Sequence, residues 1–143
     1  MSKLVNIIEY LEENETKEKS DIQHDRLLSD VNTYLEKIGL NNCHKVFREV
    51  KLVHDEDEIG RIDLAAINGN EVYIIEAKVI RGKKRKGSKT RGSISKQLRN
   101  YYNFFKINFN YAPRCIGVYR YGGAKKKFHH YEMSRPLQDL VMN

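Results

Sequence analysis

The stretch that decides the fold is GRIDLAAINGNEVYIIEAK, residues 60–78. It reads as two apolar runs around Asn68-Gly69-Asn70, the pattern of a β-hairpin. One run carries Asp63 and the other Glu76 and Lys78, and charges inside strands need partners or a metal. A type II′ turn on Gly69-Asn70 pairs residue i with residue 139 − i, so Asp63 faces Glu76. A type I′ turn on Asn68-Gly69 pairs i with 137 − i, and Glu76 becomes the diagonal neighbour of Asp63. Both registers put Asp63, Glu76 and Lys78 on one face of the sheet, whereas a three-residue loop would reverse the parity. Carboxylates directly opposed across two strands have Cβ atoms about 5 Å apart and repel. A divalent cation between them reverses the sign. Magnesium takes carboxylate oxygens, keeps several waters and can activate one of them against a phosphodiester. Lys78 stands where it would orient that water or stabilise charge growing on the phosphate. The competing reading is an ion network on a solvated face. YIIEAKVI (residues 73–80) is too apolar for that and fits a central strand buried on both sides.

Outward from the hairpin, KVFREVKLV (45–53) reads as a strand and HDEDE (54–58) as an acidic turn. Leu4, Ile7, Ile8 and Leu11 form the stripe of an amphipathic helix. ENETKEKS (13–20) is too polar to pack and reads as a loop or a frayed helix end. Ser20 opens a capping box for a second helix, which Gly39 ends. Residues 94–109 predict an aromatic-rich helix capped by Ser93 or Ser95. Residues 114–121 and 126–133 predict two further strands around Gly122-Gly123. The expected fold is α/β, a mixed sheet flanked by helices. It forms one domain over residues 1–143, with a core at about 20–133 and residues 1–19 as an N-terminal helix and polar linker.

The chain has 143 residues and a net charge of +7, but the basicity is local. Residues 81–99 hold nine Lys/Arg and no acid, and without them 17 basic residues face 19 acidic ones. The cations Arg81, Lys83, Lys84, Arg85, Lys86, Lys89, Arg91, Lys96 and Arg99 are therefore the expected nucleic-acid contacts, the first seven on a Gly-spaced flexible loop. Cys43 and Cys115 have no metal or disulfide spacing and read as reduced thiols of an intracellular, cytoplasmic protein. No apolar run is long enough for a membrane span. The compact Lys/Asn-rich chain also fits a virus or mobile element.

Gly60-Arg61-Ile62-Asp63 followed by Glu76-Ala77-Lys78 resembles the PD-(D/E)xK nuclease superfamily, the restriction-endonuclease-like fold. Its core order, helix–three strands–helix–strand, is the order read here over roughly residues 20–121. Ile62 stands where that family carries its proline. The resemblance implies that Asp63 and Glu76 bind Mg²⁺ or Mn²⁺ together with the Ala77 carbonyl, and that Lys78 assists catalysis. Gln97-Leu98-Arg99-Asn100-Tyr101 resembles the QxxxY motif of the RecB-like branch. Its i, i+4 spacing puts Gln97 and Tyr101 on one helix face, where they would hold a phosphate or steer Lys78. Nucleases of this kind often add an acid from the first helix, here Asp25 ahead of Asp21. Glu49 on the preceding strand is another candidate ligand, and His129-His130 could touch phosphate.

The expected activity is metal-dependent hydrolysis of DNA, RNA not excluded, with little sequence specificity, as an exonuclease or a structure-selective endonuclease. The alternatives are a Holliday-junction resolvase, which in this fold works as a homodimer, and a non-catalytic nucleic-acid-binding module on the same fold.

Overall fold

The computed structural model describes residues 2–16, 45–80, 87–121 and 129–134. The elements are α1 (Ser2–Asn14), β1 (Lys45–His54), β2 (Asp57–Asn68), β3 (Glu71–Ile80), α2 (Gly87–Phe109), β4 (Arg114–Tyr121) and β5 (His129–Met133). They make a mixed α/β fold around a five-stranded sheet in the order β1-β2-β3-β4-β5. β3 and β4 are parallel, joined through α2, and the other neighbours are antiparallel. The predicted helix ending at Gly39, the strand start at 126–128 and Cys43 lie outside the described residues. Among the described residues no helix is long and apolar enough to cross a membrane.

Both hairpin turns are fixed by backbone chirality. Asn68 pairs with Glu71, Gly69 takes φ 61° and Asn70 stays at negative φ, which is the type II′ turn and the 139 − i register. The β1–β2 turn is type I′, with Asp55 and Glu56 at φ 50° and 71°. The Tyr111 hydroxyl donates to Asn70 O at 2.9 Å and accepts from Val72 N at 3.2 Å, tying down the far side of the II′ turn.

The larger core lies between one sheet face and the two helices. Ile7 and Leu11 of α1 meet Ile94, Leu98, Tyr102 and Phe105 of α2 over Ala65, Ile67, Val72 and Ile74. The other face buries a second cluster, Leu64, Ala66, Tyr73, Ile75, Ala77, Ile116 and Val118. β3 is thus buried on both sides, as its apolar run requires.

Two sequence expectations are corrected. The sequence reads residues 13–20 as too polar to pack, a loop or a frayed helix end; α1 does end at Asn14, but Glu15 and Thr16 pack, and 17–20 lie outside the described residues. Glu15 bridges to Val50, its carboxylate accepts from Arg48 N at 2.8 Å, and Thr16 N donates to Glu49 O at 3.0 Å. Polar residues pack here because the outer edge of β1 offers unpaired backbone groups. The Tyr10 hydroxyl serves two more, donating to Lys51 O and accepting from Val53 N.

The long helix begins at Gly87, not at residue 94. Ser93 and Ser95 therefore sit inside it rather than at its cap. Their hydroxyls are used in tertiary bonds, Ser93 with Lys78 at 3.2 Å and Ser95 with Tyr131 at 2.8 Å. At its other end Asn110 takes φ 51°, while Asn110 N bonds Lys106 O and Tyr111 N bonds Phe105 O. The left-handed Asn110 with its bond to Lys106 O is an αL cap, and with the Tyr111 bond it satisfies two of the last carbonyls just ahead of Pro113.

Candidate active site

The sheet forks at the charged residues of the hairpin. β2 stays paired with β1 down to Asp57, but its pairing with β3 ends at Leu64 opposite Ile75. β3 remains paired with β4 through Ile80. Asp63 and Glu76 are the first residues past the last β2–β3 pair, in the register that sets them opposite each other. Asp63 Oδ2 accepts a hydrogen bond from Ala77 N at 2.8 Å, so the carboxylate replaces a missing ladder carbonyl. A strand residue's N–H and C=O point to the same side, which directs the Ala77 carbonyl into the fork as well.

Glu49, Asp63 and Glu76 are the buried polar or charged residues among those described, at 7%, 8% and 5% exposure. All three are acids. Glu49 lies between the pairs Arg48–Leu64 and Val50–Ile62, level with Asp63, and takes φ 53°. Left-handed backbone at a glutamate is strained and persists only where its surroundings hold it. Thr16 and Glu15 supply that hold.

The side-chain alternation of β2 also slips by one at this point. Gly60 and Ile62 face α2, and so do Ala65 and Ile67 farther along. Ile62 and Asp63 therefore address the same core from adjacent positions.

Lys78 lies on the Glu76 face of β3, and its ammonium donates to Ser93 Oγ. Ser93, Gln97 and Tyr101 follow one another at i, i+4 and i+8 along α2. Tyr101 donates its one proton to Arg61 O at 2.7 Å, and Glu76 is the phenol's second polar neighbour. The ring packs on Gly60, where a Cβ would come within 3.3 Å of Tyr101 Cε1. Burial, then the negative fields of Glu76 and Asp63, push the Tyr101 phenol far above its ordinary range, with Glu49 adding to the same effect. All three acids are therefore felt at one phenol.

Burial also raises the Glu76 carboxyl well above its ordinary range, and the neighbouring Asp63 raises it further by charge and by hydrogen bonding. Lys78 opposes this, more weakly. Burial and the neighbouring carboxylate thus both disfavour the charged form of Glu76. Among the described residues Glu76 Oε1 and Gln97 Oε1 are buried with no hydrogen-bond partner, which is costly unless something else occupies the site. Among the described residues no three His, Cys, Asp or Glu side chains form a closed ligand cluster. The residues that fit a hard divalent cation are Asp63 and Glu76, with the Ala77 carbonyl beside them and Glu49 level with Asp63.

Of the other expected residues, Asp25 and the cations Arg81, Lys83, Lys84, Arg85 and Lys86 lie outside the described residues. Lys89 and Arg91 fall on the first turns of α2 rather than on a loop. The helix therefore takes up part of the segment that its glycines had suggested was flexible. Lys96 and Arg99 are exposed on α2. Sequence reasoning missed Ser93, which lies one helical turn before Gln97. Extending the Gln97–Tyr101 stripe backwards by four residues would have found it.

A family model described as "Nuclease-related domain" matches residues 23–132. A crystal structure of SSO0001 is similar to this chain at 22% identity and a TM-score of 0.46, covering 82% of this chain and 53% of that one. The chain thus spans about half the length of that protein. None of the curated proteins matches it.

Proposed function

This chain belongs to the nuclease-related domain family, and we propose that it is a PD-(D/E)xK-type nuclease that hydrolyses phosphodiester bonds of DNA with Mg²⁺ or Mn²⁺. The observation that supports this most directly is the buried Asp63–Glu76 pair at the fork of the sheet, with Lys78 on the same face. On this reading Asp63, Glu76 and the Ala77 carbonyl hold the cation, with Glu49 and Asp25 as further oxygen donors. A cation bound there supplies Lewis acidity toward the phosphate and a water of lowered pKa.

The chain's own groups do the rest. Lys78, held at Ser93, presents an ammonium to a non-bridging phosphate oxygen and orients the attacking water. Gln97, whose buried Oε1 has no hydrogen-bond partner among the described residues, fixes that water or the ammonium. Tyr101 serves as the RecB-like motif's tyrosine. Its bond to Arg61 O and its packing on Gly60 hold the β1–β2 arm against α2 and keep the fork open. The cations of residues 81–99 contact the phosphate backbone, giving affinity that falls with salt and carries no sequence reading.

The test is cleavage of single-stranded, duplex and four-way-junction DNA, and of RNA, with Mg²⁺ or Mn²⁺, by wild type and Glu76→Ala. Cleavage by wild type and none by the variant is the expected result. Cleavage that survives Glu76→Ala refutes the mechanism. Salt-sensitive binding with no cleavage of any substrate makes the protein a binding module instead. Symmetric nicking of the junction selects a resolvase.

A further inference from the structure

The sheet face that carries Lys78 continues sideways as a row of aligned residues. In the parallel ladder Lys78 pairs with Tyr119, and in the next ladder Tyr119 pairs with His129. Residues in register on neighbouring strands share a face, so Lys78, Tyr119 and His129 run from the fork to β5. The last two are stacked, with ring centroids 5.1 Å apart and planes 22° from parallel. Tyr119 is half-buried against the main core, while His129 is exposed. One ring of the stack is thus anchored and the other is presented to solvent.

α2 crosses this row at a defined place. Ser93 bonds Lys78, and Ile94 lies over Gly117, where a Cβ would meet Ile94 Cγ2 at 2.8 Å. From there α2 extends back to Gly87 and carries the positions of Lys89 and Arg91. Lys78 therefore borders a stack whose outer ring, His129, faces solvent, with basic positions on the turns of α2 that precede the crossing.

We propose that the Tyr119–His129 stack is a nucleobase platform, on which one base of a single nucleic-acid strand rests beside the scissile phosphate. The proposal deepens the nuclease reading and rests on it for the nature of the ligand. An exposed histidine on an anchored tyrosine contributes little to the core. It does provide a preorganised π surface, and such surfaces bind bases of any sequence. Its continuity with Lys78 makes it part of the same strand path, and neighbouring cations neutralise the phosphates that flank a stacked base.

The experiment uses the full chain in EDTA, so that no turnover occurs, with a fluorescein-labelled oligothymidylate read by anisotropy. His129→Ala is expected to weaken binding by about 5- to 20-fold. His129→Phe, which keeps a ring and loses the imidazole nitrogens, is expected to bind within about 2-fold of wild type. An abasic residue scanned along the oligonucleotide should cost wild type affinity at one position, and His129→Ala should lose nothing further there. Unchanged binding by His129→Ala, or a His129→Phe as weak as His129→Ala, overturns the platform. A flat abasic scan does the same. If the protein cleaves DNA yet gives one of these refuting results, only the platform falls. If wild type binds no oligonucleotide at all, the nuclease reading falls with it. Circular-dichroism melts of each variant separate loss of binding from loss of fold.

Discussion

Glu76→Gln should make the metal-free protein more stable at alkaline pH while abolishing its response to metal. In the unfolded chain Glu76 titrates near its ordinary value of 4.5, and folding raises it well above that through burial and then through Asp63. Between 4.5 and the folded value, the native state keeps a proton that the unfolded chain has lost. The stability tied to Glu76 is therefore fully present below 4.5 and is lost as pH rises through the folded value. One proton of difference gives a slope of at most about 1.4 kcal/mol per pH unit. For a chain of 143 residues that corresponds to roughly 3–5 °C in Tm per pH unit. An amide is nearly isosteric with a protonated carboxyl and carries no charge, so Glu76→Gln removes the slope. Thermal melts in EDTA from pH 5 to pH 8 should show wild type falling and the variant flatter, with the variant ahead at pH 8. Adding Mn²⁺ at a hundredfold excess over its Kd should stabilise wild type by about 2.7 kcal/mol and leave the variant where it was. A wild type whose Tm is flat over this range, or a Glu76→Gln that melts below it at pH 8, would falsify the account of the pair as mutually repelling carboxylates.

Ser93→Ala removes the acceptor of the Lys78 ammonium and should lower kcat by about 10-fold with KM for DNA nearly unchanged. Ser93→Thr keeps the hydroxyl and should restore most of the loss; equal defects in both variants would contradict a positioning role. Gly117→Ala sets a methyl 2.6 Å from the Tyr131 ring and 2.8 Å from Ile94, so it should cost about 1–3 kcal/mol in urea denaturation. A silent Gly117→Ala would mean that Tyr131 does not lie over the strand. Gly92 is exposed in α2, and a methyl placed on it would have no atom within 4 Å. Gly92→Ala should therefore stabilise by about 0.5–1 kcal/mol, whereas destabilisation would argue against helix at that point.

The grouping of Asp63, Glu76 and Lys78 was legible because strand parity is exact over a two-residue turn, and Gly69 can supply the positive φ that a II′ turn needs. The fork was not legible. Nothing local to residues 57–63 announces that β2 leaves β3 while remaining on β1, because that divergence is decided by the partners each strand keeps. The left-handed φ of Glu49 was hidden for a similar reason: it is held by Glu15 and Thr16, more than thirty residues away in sequence. The early start of α2 was missed because two glycines and several serines argue against helix by intrinsic propensity. Its hydroxyls instead dock on Lys78 and Tyr131, and tertiary packing overrides the local preference.

The contacts that Tyr10, Glu15 and Thr16 make along β1 bear on how the protein behaves among copies of itself. An uncovered strand of this length, with Phe47, Val50 and Leu52 along it, is a template for another chain. Here the hydroxyl of one aromatic residue and one turn of polar chain occupy its outward hydrogen-bonding groups at Arg48, Glu49, Lys51 and Val53. The N-terminal helix thus acts as a solubility guard as well as a layer of the core. A version of the chain shortened past Thr16 would lose these contacts, and a strand recruited to β1 in their place would run beside Glu49, with β1 between it and Asp63.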